Sequence, residues 1–204
     1  MGASEELRER IVDAALEIGG RTSWEAVRLH DVAQALGITL DDIRRHFREK
    51  EDLVDAWFDR ADAAMLQAAE APGFAQLTPR ERLHRLIMTW LGALAPHRKV
   101  TRQMILGKLE PGHIHILFPG ILRVSRTVQW MREAAHRDAT YLRRALEETG
   151  LTSIYLMTFF YWMGDDSPEA RATSRFLEGW LTAAERLDRA VYGSARTGRA
   201  DAKG

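Results

Sequence analysis

Apolar positions recur at three- and four-residue spacing along almost all of this 204-residue chain, and no segment sustains the alternation of a half-buried strand. The pattern predicts an all-α protein of about nine helices. Leu7, Ile11, Ala14, Ala15 and Ile18 form a first apolar stripe, with Ser4 as its N-cap and Gly19-Gly20 as its stop. Short helices are expected over about 29–36, closed by Gly37, and about 40–47. A longer one runs from near Glu51 to about Ala71, ahead of Pro72-Gly73. Thr78-Pro79-Arg80-Glu81 reads as a capping box with proline at the first helical position. It opens a helix whose Leu83, Leu86, Ile87, Trp90, Leu91 and Leu94 stand at core spacing. Further helices fit about 98–109, 120–135 and 138–163, with Pro111, Gly112 and Pro119 in a loop between the first two. The last starts at Ser167-Pro168 and reaches about Tyr192. The expected organisation is an N-terminal three-helix unit over 1–55, a helical bundle over 56–192 and a flexible tail over 193–204.

Residues 29–53, LHDVAQALGITLDDIRRHFREKEDL, carry the most informative spacing. Val32, Ala33 and Leu36 give the first short helix an inward face, and Ala33 is small where two helices approach. Gly37 can take the left-handed conformation of a tight turn. Ile38 plugs the turn into the core. Thr39 can cap the next helix, with Asp42 three residues on, and Ile43 and Phe47 pack back one turn apart. This is a helix-turn-helix, in which the second helix enters the DNA major groove.

Charge complicates that picture. The whole chain is formally neutral, so global charge announces no nucleic-acid partner. Residues 1–60 hold nine basic against fourteen acidic residues, a net −5, the wrong sign for affinity driven by counterion release. The basic residues nevertheless cluster at 44–50, while most of the acids lie on the first and fourth helices. Cysteine is absent, which excludes disulfides and thiolate chemistry and fits a cytoplasmic location. No secretory leader stands at the start and no stretch reaches the roughly 20 apolar residues of a transmembrane span.

With Ile11, Ala14-Ala15, Val32-Ala33, Gly37-Ile38-Thr39 and His46-Phe47-x-x-Lys50-Glu51-Asp52-Leu53, residues 8–60 resemble the TetR family of transcriptional regulators. The resemblance implies a homodimeric, ligand-responsive repressor of double-stranded operator DNA. It implies phosphate contacts from Thr39, His46 and Lys50; Arg44, Arg45 and Arg48 are further candidates for phosphates or base edges. Three positions depart from the family pattern. Arg44 stands where an aromatic residue, tyrosine above all, is usual. Asp41 and Asp42 stand where small or hydroxyl residues face the groove; a carboxylate there repels phosphate but can accept from cytosine.

The C-terminal half carries a second resemblance. Trp130, Asp138, Tyr141-x-x-Arg144, Tyr155-x-x-Thr158, Tyr161-Trp162, Asp166-Ser167-Pro168 and Thr173-x-x-Phe176-Leu177 stand in an order similar to the lipid-binding accessory proteins of ubiquinone biosynthesis. That group shares the TetR fold and implies, as an alternative, a protein that binds lipid or isoprenoid and not DNA. Its eukaryotic members end in a membrane-seeking helix, whereas this chain ends GSARTGRADAKG. The run Leu151–Met163 is apolar nearly all round, so it is either core and dimer interface or the lining of a cavity for a hydrophobic small molecule. The two are compatible. Trp90, Trp130, Tyr155, Met157, Phe159 and Trp162 are the candidate ligand residues. His97, His113 and His115 lack a carboxylate partner and read as ordinary loop histidines, with no metal. Asp165-Asp166 reads as a helix-start pair. No catalytic motif or cofactor signature appears, so no enzyme activity is expected.

Overall fold

A computed structural model describes the backbone of residues 2–108, 114–135 and 141–200, and the side chains of 2–106, 123–135 and 149–190. The helices are α1 (Ala3–Arg21), α2 (Leu29–Leu36), α3 (Leu40–His46), α4 (Lys50–Ala69), α5 (Pro79–Leu94), α6 (Arg98–Lys108), α7 (Ile114–Ala134), α8 (Tyr141–Met163) and α9 (Arg171–Ala200). Short 3-10 turns precede α5, α6 and α9. The described residues contain no strand, so the fold is all-α as the periodicity predicts. The chain divides into two compact units, Met1–Ala64 with Trp90–Arg123, and Met65–Thr89 with Val124–Gly204.

In the first unit Ile11, Val12, Leu16, Val32, Ile43, Phe47, Leu53 and Trp57 are buried in one core. α6 is fixed to it by non-local hydrogen bonds. The Trp57 indole donates to Thr101 Oγ1 at 2.9 Å, and Trp24 N–H donates to Gln103 Oε1 at 2.8 Å. The expected stop of α1 at Gly19-Gly20 does not occur, and the helix continues to Arg21. Gly19 is buried, and a Cβ there would lie 3.2 Å from Val100 Cγ1. It serves close helix approach and not termination. Ser4 lies inside α1; Gly2 occupies the N-cap, and its carbonyl accepts from Glu5 and Glu6 N–H.

In the second unit Leu86, Ile87, Val128, Met131, Tyr155, Thr158, Phe159, Trp162 and Leu177 are buried. α5 opens as expected: Thr78 N–H and hydroxyl donate to Glu81 Oε2 at 2.8 and 2.7 Å. Arg80 ties this helix to α9 through Glu178 and, at 3.0 Å, Thr182. The start of α9 is a built turn. Asp165, 6% exposed, accepts from Ser167 N–H, Thr173 N–H and the Thr173 hydroxyl at 2.8, 2.8 and 2.6 Å. Burial alone would raise its pKa, but the bonds from Thr173 and Ser167 together take it well below the usual carboxylate range. Ser167 Oγ accepts from Ala172 N–H at 2.9 Å. These caps hold Glu169 and Ala170 at φ 54° and 53°, a region that is costly for non-glycine residues.

Two further helix limits differ from the sequence expectation. α7 begins at Ile114, so Pro119 lies within the helix and not in a loop. Proline lacks one N–H donor, and local propensity yields here to the helix around it. α9 passes Gly193, a residue that weakens a helix without ending it when alanine and arginine follow. Pro111, Gly112, His113 and Asp138 lie outside the described residues.

Candidate nucleic-acid interface

Local chemistry makes the α2–α3 turn. Gly37 takes φ 66°, ψ 33°. Its N–H donates to Gln34 O at 3.2 Å, and Ile38 N–H reaches back to Ala33 O at 3.0 Å, the paired bonds of a left-handed helix cap. Thr39 then starts α3 with a reciprocal box. Asp42 N–H donates to Thr39 Oγ1 at 3.1 Å, while Thr39 N–H donates to Asp42 Oδ2 at 3.0 Å. Thr39's hydroxyl and backbone bonds hold the Asp42 carboxyl below its ordinary pKa. Ala33, Ile43 and Phe47 are buried, so the unit's inner face is the one its spacing predicts. Ile38 is only half-buried.

The outer face of α3 carries Asp41, Arg44 and Arg45, all exposed. Arg44 donates from Nε and Nη2 to Asp41 Oδ1 at 3.0 and 2.8 Å. Arg45 donates from Nη2 to Asp41 Oδ2 at 2.8 Å, and its Nη1 lies 3.6 Å from Asp42 Oδ1. The two guanidiniums, Arg44 first, hold Asp41 below the usual carboxylate range. By residue type and position alone Asp41 repels phosphate or accepts from cytosine. The structure makes it the anchor of both arginines, a role that its i+3 and i+4 spacing to them signals. Leu40, 53% exposed at the start of α3, was also absent from the candidates.

The remaining sequence-predicted DNA residues divide. Thr39 and Arg48 are exposed, and His46 is half-buried beside Phe47, with ring centroids 6.5 Å apart. Lys50 turns toward the loop before α2. Its ammonium donates to the carbonyls of Trp24 and, at 3.1 Å, Glu25, and lies 5.1 Å from the Trp24 ring centroid. Burial lowers its pKa, with Glu51 acting the other way. Asp52 closes the α3–α4 joint by accepting from Arg48 N–H at 2.6 Å and Glu49 N–H at 3.2 Å.

The six candidate ligand residues are distributed over both units. Tyr155, Phe159 and Trp162 are buried together on α8, with successive stacked centroids 6.4 and 6.0 Å apart. Met157 is half-buried and Trp130 is 48% exposed. Trp90 belongs to the first unit, where its indole donates to Asp62 Oδ1 at 2.8 Å and its ring stacks on Phe58. A groove of about 590 Å³ in the second unit is lined by Ser167, Pro168, Arg171, Ser174 and Arg175, none of them among those six. Asp62 also carries Arg123, whose Nη2 lies 3.3 Å from it and 2.9 Å from Asp59. That cluster left no signal in the sequence, because its members are far apart in the chain. Among the described residues no group of three or more His, Asp or Glu is placed to hold a metal, and no helix is long and apolar enough to cross a membrane.

Comparison with known proteins agrees with this geometry. A solved TetR transcriptional regulator from Nitrosomonas europaea is 57% identical, with a TM-score of 0.80 over 88% of this chain and 98% of that one. A TetR regulator from Rhodococcus sp. RHA1 shares the fold at 18% identity, with a TM-score of 0.62 over 87% of this chain and 97% of that one. The HTH-type transcriptional repressor KstR of Mycolicibacterium smegmatis is 34% identical over 89 residues, 42% of each chain, so the match spans under half of that curated relative. Residues 129–188 match the COQ9 family.

Proposed function

Because the chain belongs to the TetR family of transcriptional regulators, we propose that it represses transcription by binding double-stranded operator DNA as a homodimer, and that a hydrophobic small molecule bound in its C-terminal part controls that binding. The observation that carries the reading is α3: a capped helix with a buried inner face and two exposed arginines on its outer face. Arg44, Arg45 and Arg48, with Thr39 and His46, make the DNA contacts, and Lys50 holds the neighbouring loop. Two such helices in a dimer reach successive major grooves about 34 Å apart.

Exposed Phe160, Tyr161, Trp180 and Leu187 on α8 and α9 support the dimer, because an apolar surface of this kind is normally covered. The stacked Tyr155, Phe159 and Trp162 support an apolar ligand. Ligand binding shifts the population of dimers away from the DNA-binding spacing. Reversing charge at Arg45 and Arg48 together tests the interface: operator binding should be lost while the dimer stays folded. Undiminished, salt-sensitive binding by that variant would refute the assignment.

The COQ9 match gives the second reading a specific basis, since it covers the end of α7, all of α8 and more than half of α9. In that reading the protein holds lipid or isoprenoid and does not bind DNA. Co-purified lipid together with no DNA selectivity at any salt concentration is its signature.

A further inference from the structure

The two aspartates at the start of α3 have different occupations. Asp42 is consumed by the helix cap, with Oδ2 accepting from both the N–H and the hydroxyl of Thr39. Asp41 caps nothing. Its Oδ1 takes the Nε and Nη2 of Arg44, and its Oδ2 takes an Nη2 of Arg45. Exposed ion pairs of this kind add little to stability, so the fold does not require the arrangement.

The consequence lies in what Arg44 has left. A guanidinium carries five N–H donors in a fixed plane. Asp41 occupies the edge made by Nε and Nη2. The end-on fork, one N–H each from Nη1 and Nη2, stays open, and the side chain is 73% exposed. That fork matches the O6 and N7 acceptors of guanine in the major groove. A free arginine must give up its rotamer freedom to make this contact, whereas one held by a carboxylate has already lost it.

Charge points the same way. Asp41, Asp42, Arg44 and Arg45 together are neutral, so these four residues of α3 add little to sequence-independent phosphate attraction. Their effect is on which base is accepted.

We infer that Asp41 is a specificity-determining positioning residue, which orients Arg44 to read a guanine in each operator half-site and lowers affinity for DNA of other sequence. This rests on the DNA-binding reading above. The experiment is chosen to separate the two. The full-length wild-type chain is first used to select duplexes from a random pool. Fluorescence anisotropy at fixed salt then compares the selected duplex, its versions with each G·C pair changed to A·T, and a scrambled duplex. The proteins are wild type, Asp41→Ala, Asp41→Asn, Arg44→Ala and Arg45→Ala, each checked for folding by circular dichroism.

Wild type should prefer one guanine by about 5- to 150-fold, the range expected for a bidentate arginine contact. Arg44→Ala should bring that ratio to within about twofold of unity, and Arg45→Ala should leave it. Asp41→Ala should lower the ratio at least about threefold and tighten binding to the scrambled duplex. Asp41→Asn, which keeps the shape and loses the charge, should fall between, and it decides the matter if the alanine variant fails to fold. A full guanine ratio in both Asp41 variants, or a ratio insensitive to Arg44, overturns this inference and leaves DNA binding intact. Failure of wild type to select any sequence overturns both.

Discussion

Replacing Lys50 by methionine separates a residue that touches DNA from one that shapes the surface around it. Methionine keeps the length of the stem and removes the ammonium. In the structure that ammonium donates to the carbonyls of Trp24 and Glu25 and sits over the Trp24 ring. A hydrogen bond to a charged group contributes about 1.5–3 kcal/mol, and a cation over a tryptophan face about 0.5–2 kcal/mol. Desolvation of the ammonium offsets part of this, so a net loss of about 2 kcal/mol is expected. For a chain of this length that lowers the melting temperature by about 4–8 °C. The DNA consequence follows from which donors are used. A phosphate contact contributes roughly 0.9 to the slope of log affinity against log salt. With its ammonium on backbone carbonyls, Lys50 contributes little to that slope, so Lys50→Met should leave it unchanged while thermal stability falls. Differential scanning fluorimetry and a salt titration of operator binding measure both. A slope reduced by about one unit with an unchanged melting temperature would refute the positioning role and make Lys50 a phosphate ligand.

Three further outcomes are expected. Asp165→Asn should destabilise the protein by about 2–4 kcal/mol, because the amide keeps a single acceptor oxygen and cannot serve both Ser167 N–H and the buried Thr173 donors, one of which then faces its NH2. Asp165's folded pKa lies below its unfolded value of 3.8, so the unfolded chain binds more protons just below that pH. Its contribution is therefore fully present above about 3.8 and is lost as pH falls further, and Asp165→Asn should flatten acid unfolding curves in that window. Arg123→Met should cost about 3 kcal/mol in chemical denaturation, since Asp62 is left buried beside Asp55 and Asp59 without its cation. Trp180→Glu with Leu187→Glu should convert a dimer into a monomer in sedimentation velocity, and an unchanged dimer would move the interface elsewhere.

The parts of the fold legible in the sequence are those made by neighbours in the chain. Gly37, Thr39 with Asp42, and Thr78 with Glu81 announce their turns because both partners of each bond lie within five residues. Ile43 and Phe47 announce the buried face of α3 for the same reason. Gly19 misled because a glycine that ends a helix and one that admits a neighbouring Val100 look alike in one dimension. Pro119 misled because its penalty is local and the surrounding helix outweighs it. The charges of α3 were visible but not their directions. Asp41 looks repulsive until its oxygens are seen on Arg44 and Arg45, and Lys50 looks available until its ammonium is seen on Trp24 and Glu25. The Asp62–Arg123–Trp90 cluster joins three helices and has no one-dimensional signature.

In the proposed function α3 is the element that reads operator DNA. Selection of bound duplexes from a genomic pool by the full-length chain tests it most directly, followed by binding of the enriched sequence across a salt series. A two-fold symmetric site with half-sites one helical turn apart is expected, and its selective binding is lost with Arg44→Glu and Arg45→Glu together. Enrichment of no sequence at any salt concentration, from protein that is folded and dimeric, would contradict it.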